Sequence, residues 1–254
     1  MTRIIAIMNQ KGGVGKTTTT VNLGHALARE GKTVTLLDMD PQGQVAIGYG
    51  IDNELGGLDQ VLLDDTPLDD KLLMARDNLN IVPAGTRLND LEHLASGGSS
   101  RGHKLRLAIE NSSLNECDYV LIDCPPSSGL LGINAIFAAD ELLIPVSGDY
   151  LSLQGLSRMM QILKRAEGLA GKENPIKLWL VTTRMQMRRR LTKEVRNKVL
   201  KYFPKRVFQT VIRENVALAE CPSFGKTIFD YKKSSAGAED YQSLALDLLQ
   251  GRTS

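Results

Sequence analysis

Asn9-Gln10-Lys11-Gly12-Gly13-Val14-Gly15-Lys16-Thr17-Thr18 is the stretch that decides how the chain is read. The apolar run Arg3-Ile4-Ile5-Ala6-Ile7 comes before it, and a segment of helical periodicity over 16–30 follows. Strand, glycine-rich loop and helix in that order make a phosphate cradle. Glycines let successive backbone N–H groups turn toward phosphate oxygens, and the helix N-terminus adds the positive end of its dipole. Lys16 supplies a point charge for the β- and γ-phosphates, and the Thr17 hydroxyl suits Mg²⁺. The loop departs from the generic pattern in one respect. Gln10 stands where the first glycine belongs, and a second lysine, Lys11, opens the glycines.

Outward from the loop, short apolar runs alternate with longer amphipathic stretches, the pattern of strands joined by crossover helices. Strands are predicted over 3–9, 33–38, 79–83, 119–123, 141–146, 177–183 and 207–211. Helices are predicted over 16–30, 102–115, 129–138, 152–168, 192–202 and 236–250. Several of the strands are nearly continuous in apolar residues, as expected where both faces are covered. The fold class that follows is α/β: a single P-loop NTPase domain over 1–254, with a mostly parallel, doubly wound sheet flanked by helices. A glycine-serine stretch over 97–100 reads as a loop.

Composition agrees with a full-sized core. The 254 residues are 42% apolar and 24% charged, which excludes a disordered tail, a fibrous repeat and a small disulfide scaffold. No run approaches the roughly 18 apolar residues of a membrane span, and the start does not read as a signal peptide. Cys117, Cys124 and Cys221 are odd in number and lack metal-ligand spacing, which points to a reduced, cytoplasmic protein.

Acidic residues close two of the strands. Asp123 ends an apolar run, so its carboxylate is expected at the carboxyl edge of the sheet, where ligands of open α/β sheets collect. There it can hold Mg²⁺ through water. Asp38 and Asp40 lie two apart, so they share a face if their strand persists and fan into the site if it ends.

The segment Lys11–Thr18 resembles the deviant Walker A motif of the ParA/MinD family of ATPases, in particular partition proteins of the ParA (Soj) type. Leu37-Asp38-Met39-Asp40-Pro41-Gln42-Gly43 looks like the family's second box. Val120-Leu121-Ile122-Asp123-Cys124-Pro125-Pro126-Ser127 looks like its Walker B segment. Asn215-Val216-Ala217-Leu218-Ala219-Glu220-Cys221-Pro222-Ser223 resembles its nucleotide-side segment. The resemblance implies ATP and Mg²⁺ as cofactors. Lys11, Gly12, Gly13, Val14, Gly15, Lys16, Thr17 and Thr18 would bind nucleotide, with Asn215 at the adenine, and Thr17, Asp40 and Asp123 would serve the metal. It gives catalytic roles to Lys11, Lys16, Asp40 and Asp123, with Asp40 orienting the attacking water or a magnesium-bound water and Asp38 structural. Lys11 would cross to the nucleotide of a second subunit in a face-to-face homodimer, acting like an arginine finger in trans. Weak intrinsic ATPase activity, stimulated by a ParB-like or adaptor partner, is implied as well.

The overall charge of +2 hides an asymmetry: residues 184–206 carry +9, against −7 over the rest. On the helix predicted there, Val195, Val199, Leu200 and Phe203 follow a three-and-four spacing that faces the sheet. Lys193, Arg196, Lys198 and Lys201 line its exposed flank, and Arg188, Arg189 and Arg190 precede it in a loop. Dense cations without interleaved aromatics suit duplex phosphates and sequence-independent binding. The resemblance likewise implies nonspecific double-stranded DNA binding in the ATP state and a nucleoid-associated location.

Departures from the family pattern, at Arg213-Glu214, Ala217 and 146–150, leave the cargo open between a plasmid, a chromosome and a protein assembly. A MinD-like membrane ATPase would need a basic amphipathic end helix. The 236–250 segment is acidic on its polar side and reads as a docked core helix, so no membrane is expected. An iron–sulfur electron carrier would need cluster cysteines, which Cys117 and Cys124 do not resemble. An ATP-switched DNA-binding regulator is the remaining alternative. Only about eight residues precede the loop, which leaves no room for an amino-terminal helix-turn-helix.

Overall fold

The computed structural model describes residues 2–93, 99–127, 129–149, 155–157, 159–161, 163 and 175–254. Eight strands form one sheet: β1 (Arg3–Ile7), β2 (Val34–Asp38), β3 (Leu73–Arg76), β4 (Leu79–Val82), β5 (Tyr119–Asp123), β6 (Glu141–Ser147), β7 (Lys177–Met185) and β8 (Val207–Arg213). Their order is β3-β4-β2-β5-β1-β6-β7-β8. Every pairing is parallel except β3 with β4. The α/β fold class therefore stands as read from sequence. β3 is the strand the sequence did not announce. It is four residues long, and its register with β4 shifts between Met74 and Arg76. β4 is equally short, but β3 exposes Met74 and only half-buries Leu73 and Arg76, so it lacks the apolar run that marks β4.

The helices divide between the two faces. One apolar layer gathers β-strand residues such as Ile5, Ile7 and Leu36 against α1 (Lys16–Arg29), α2 (Gln44–Gly48), α8 (Val216–Glu220), α9 (Ile228–Tyr231) and α10 (Ala236–Gln250). The other joins Val120, Ile122 and Ile144 to α3 (Leu58–Leu63), α4 (Asp90–His93), α5 (Lys104–Glu110), α6 (Leu130–Ala138) and α7 (Arg190–Tyr202). Coverage on both faces explains why the central strands β2, β5 and β6 are buried along their whole length.

Helix α10 has the bounds expected from sequence and buries Tyr241, Leu244, Ala245 and Leu248, so it is docked. The 102–115 helix is shorter than expected, with α5 flanked by 3₁₀ turns. The 97–98 part of the glycine-serine loop, Tyr150 and much of the 152–168 helix lie outside the described residues. Among the described residues, no helix is long and apolar enough to cross a membrane.

The segment Arg252–Ser254 runs along β8. Ser254 donates its N–H to the Val207 carbonyl at 2.8 Å, the Lys205 N–H donates to Ser254 at 2.9 Å, and Phe208 bridges Thr253 in antiparallel register.

Candidate functional site

Three neighbouring strands end in register at the site. Ile7 of β1 pairs with Asp123 of β5, and Asp38 of β2 pairs with the same Asp123. This juxtaposition at the carboxyl edge brings the loop after β1 over the acids that close β5 and β2.

The loop itself needs glycine at two points. Gly13 has φ +71° and Gly15 φ +91°, both left-handed, where a side chain is strained. Gly15 is also the N-cap of α1 and supplies no capping side chain, which leaves the first N–H groups of the helix to a ligand. Val14 is fully buried, and its carbonyl accepts from Thr183 Oγ1 at 2.8 Å, pinning the loop to β7. Lys16 is 7% exposed, with Nζ 3.5 Å from the Lys11 carbonyl.

Asp123 is fully buried beneath α1. Thr17 Oγ1 donates to its Oδ2 at 2.7 Å and Thr20 Oγ1 to its Oδ1 at 3.0 Å. Burial pushes this carboxyl up to about 7, helped by the nearby Asp40 and opposed by the two threonine hydrogen bonds and the Lys16 charge. Asp38 is turned inward. It accepts from the Asp40 N–H at 3.1 Å and the Val45 N–H at 3.0 Å, tying the loop after β2 to the start of α2. Burial and the adjacent Asp123 raise its carboxyl well above the ordinary range. β2 ends at Asp38, so the two acids separate, and Asp40 lines the cleft with its Oδ1 accepting from the Gln42 N–H at 3.0 Å.

A cleft of about 750 Å³ lies above this group. Gly12, Gly13, Gly15, Lys16, Thr17 and Thr18 line one side, and residues 212–216 with Leu218, Ala219 and Tyr241 shape the other. Asn215 is on that second wall and caps α8 through its Oδ1, which accepts from the Ala217 N–H at 2.9 Å. The residues fit a magnesium nucleotide. Left-handed glycines and an uncapped helix start suit phosphates, and a buried lysine suits their charge. Thr17 with Asp123 offers the few oxygen donors that Mg²⁺ takes while keeping water and phosphate oxygens. No group of three His, Cys, Asp or Glu side chains converges into a ready-made metal cage among the described residues.

Lys11 is placed on the other side of the loop. Its ammonium pairs with Asp149, in the turn after β6, and Asp149 Oδ2 accepts from Ser147 Oγ at 2.7 Å. The Lys11 N–H also donates to Asn9 Oδ1 at 3.0 Å, and Asn9 Nδ2 anchors to the Pro145 carbonyl. Sequence reasoning gave Asp149 no role, although its position just past an apolar strand was a signal of the kind that picked out Asp123. Thr20 was missed too. It lies one helical turn beyond Lys16 and Thr17, on the face toward Asp123.

The basic stretch differs from expectation in three ways. Helix α7 begins at Arg190 with Arg189 as its N-cap, so only Arg188 lies wholly before the helix. Arg196 is half-buried, and its Nη2 donates to the Gln209 carbonyl at 3.3 Å on β8, which takes it off the exposed flank. Arg184 is drawn to the phosphate loop, where its Nη1 donates to the Gly13 carbonyl at 2.8 Å. The exposed flank keeps Arg188, Arg189, Lys193, Lys198 and Lys201, with Arg190 pairing to Glu194 along the helix at 2.8 Å. Val195 and Val199 are buried in this core layer, with Leu200 and Phe203 half-buried against it, as the spacing required. Tyr202, 70% exposed, is an aromatic on this surface that the sequence reading did not count.

A family model described as an AAA domain matches residues 2–174. The chain is 42% identical over 253 residues to the sporulation initiation inhibitor protein Soj of Bacillus subtilis, covering 98% of each chain. It is 40% identical over 257 residues to the chromosome partitioning protein ParA of Myxococcus xanthus, covering 99% of this chain and 89% of that one. A solved structure of cobyrinic acid a,c-diamide synthase from Mycobacterium smegmatis, with bound ADP and magnesium, is similar in fold with a TM-score of 0.82. It is 29% identical and covers 98% of this chain and 95% of that one.

Proposed function

The chain belongs to the ParA/Soj family of partition ATPases, and from that membership we propose that it is a magnesium-dependent ATPase that closes into a homodimer around ATP and binds DNA nonspecifically in that state. Hydrolysis, weak alone and stimulated by a ParB-like or adaptor partner, returns it to monomers and so moves or positions a cargo. The observation that carries this reading is the stacking of Lys16, Thr17 and Asp123 beneath a left-handed glycine loop, with Lys11 on the loop's outer side.

Each residue has a definite task in this scheme. The loop N–H groups and Lys16 bind the phosphate chain, and Thr17 with Asp123 holds Mg²⁺. Bound Mg²⁺ supplies neutralisation of the phosphate charge. Asp40, at the cleft edge, orients water, and Asn215 belongs to the wall that meets the base. Lys11 leaves Asp149 and reaches the facing subunit's nucleotide, adding positive charge where negative charge builds up.

Dimerisation sets two copies of α7 side by side. Because counterion release scales with phosphates neutralised, the paired surface holds duplex DNA far more tightly than one copy does. Membrane attachment is disfavoured by the docking of α10 through Tyr241, Leu244 and Leu248. Co-sedimentation with duplex DNA in ATP or ADP, across a salt series, tests the proposal. Binding in ATP that falls steeply with salt supports it, and equal binding in both nucleotides defeats it.

A further inference from the structure

Arg184, the penultimate residue of β7, is in a left-handed conformation, with φ +50°, although it carries a side chain. Such a backbone is unfavourable for a residue with a side chain and persists where surrounding structure holds it, commonly at functional sites. The pairing of β7 with β8 slips between Thr182 and Met185, and there the Arg184 side chain donates from Nη1 to the Gly13 carbonyl at 2.8 Å. Gly13 is itself left-handed, and a Cβ added there would lie 3.6 Å from the same guanidinium nitrogen. Two left-handed residues from distant parts of the chain therefore meet at the lip of the phosphate loop.

The guanidinium stands on the ridge between two openings. It lines the 750 Å³ cleft together with Gly13, Lys16 and Thr17, and a smaller cleft of about 240 Å³ together with Lys11 and Asp149. The acids nearby are engaged elsewhere. Asp149 pairs with Lys11, and the Glu214 carboxylate accepts from Gln186 Nε2. Arg184 itself is bonded to a neutral carbonyl, and no carboxylate pairs with it among the described residues. A guanidinium with one N–H spent on a carbonyl keeps four donors and its full charge.

We propose that Arg184 is a second phosphate-directed cation of the nucleotide cleft, clipped in place by Gly13 and acting beside Lys16 on the polyphosphate chain. The proposal rests on the nucleotide reading of that cleft and adds to it a binding residue from β7. Charge beside the loop favours the more highly charged nucleotide, so Arg184 sharpens the preference for ATP over ADP.

The test is equilibrium binding of magnesium-ATP and magnesium-ADP to wild type, R184Q and R184K, with circular dichroism melts to confirm folding. R184Q is expected to bind ATP about tenfold more weakly, with a smaller loss for ADP. R184K, which keeps the charge, is expected to recover most of the affinity, and the gap between R184Q and wild type should narrow in high salt. Equal ATP affinity in wild type and R184Q overturns the proposal. Losses of equal size for ATP and ADP in R184Q overturn it as well, because the side chain then does not respond to the phosphate charge. A wild-type protein that binds no ATP defeats the nucleotide reading itself, which is a separate result.

Discussion

Thr17 Oγ1 donates to Asp123 Oδ2 at 2.7 Å, so the first turn of α1 is fastened to the end of β5 through the carboxylate proposed to serve the metal. Burial holds that carboxyl near 7 instead of its ordinary 3.8. The folded chain therefore keeps a proton that the unfolded chain has lost. The resulting stabilisation is complete below about 3.8, declines as pH rises, and is gone above about 7. Thermal melts of the nucleotide-free protein should fall in midpoint between pH 5 and pH 8. Magnesium-ATP should oppose the fall by favouring the ionised form. A D123N variant should flatten the pH profile, and an unchanged profile in that variant would assign the dependence to other groups.

Lys11 and Asp149 are a half-exposed pair, and such pairs contribute about 0–1 kcal/mol. If Lys11 must leave Asp149 to reach a facing nucleotide, D149N removes a competitor. Dimer formation with a non-cleavable ATP analogue and magnesium should then tighten severalfold by analytical ultracentrifugation. K11A should leave ATP binding largely intact while abolishing partner-stimulated turnover.

The exposed cations of α7 and its approach give a separable prediction. R188E/R189E/R190E should lose duplex DNA binding by at least tenfold at low salt, with ATP affinity unchanged. Arg196, held by the Gln209 carbonyl, should matter less for DNA than Lys193 when each is changed to Ala. Filter binding at several salt concentrations reads both. Intact binding in the triple variant would move the DNA surface elsewhere.

Thr182 lies in the middle of β7, and its Oγ1 is buried without a hydrogen-bond partner among the described residues. A buried hydroxyl left unpaired costs about 1–3 kcal/mol, and valine has nearly the same shape. T182V should stabilise the protein by about 1 kcal/mol, a rise of roughly 2–4 °C in Tm for a chain of this size. Differential scanning calorimetry at neutral pH checks it, and a lower Tm would mean that the hydroxyl has a polar role.

Much of this architecture is legible in the chain because local signals agree. β5 and α10 have the bounds expected from apolar periodicity, and both are buried along the surfaces that pattern marked out. The phosphate loop was legible because glycine, lysine and threonine must stand at fixed offsets between a strand and a helix. The pairing of Asp149 with Lys11 and of Arg184 with the loop was not, since each depends on which strand ends lie side by side. Only the order of β5, β1, β6 and β7 brings them to one rim. Arg184 illustrates the limit. By composition it belongs with the basic stretch, yet its side chain reaches the Gly13 carbonyl of the phosphate loop instead.

Both margins of the sheet are closed to further strands. Arg252–Ser254 pairs with the first residues of β8, and the Thr210 and Arg213 N–H groups further along it donate to Asp247 and Asp240; at the far side β3 is short, irregular in register and tied through Arg76 to Asp230. Neither border offers a long, flat template for zippering onto a neighbouring molecule. Contacts with a second copy would therefore have to come from loops and helix faces instead of strand pairing.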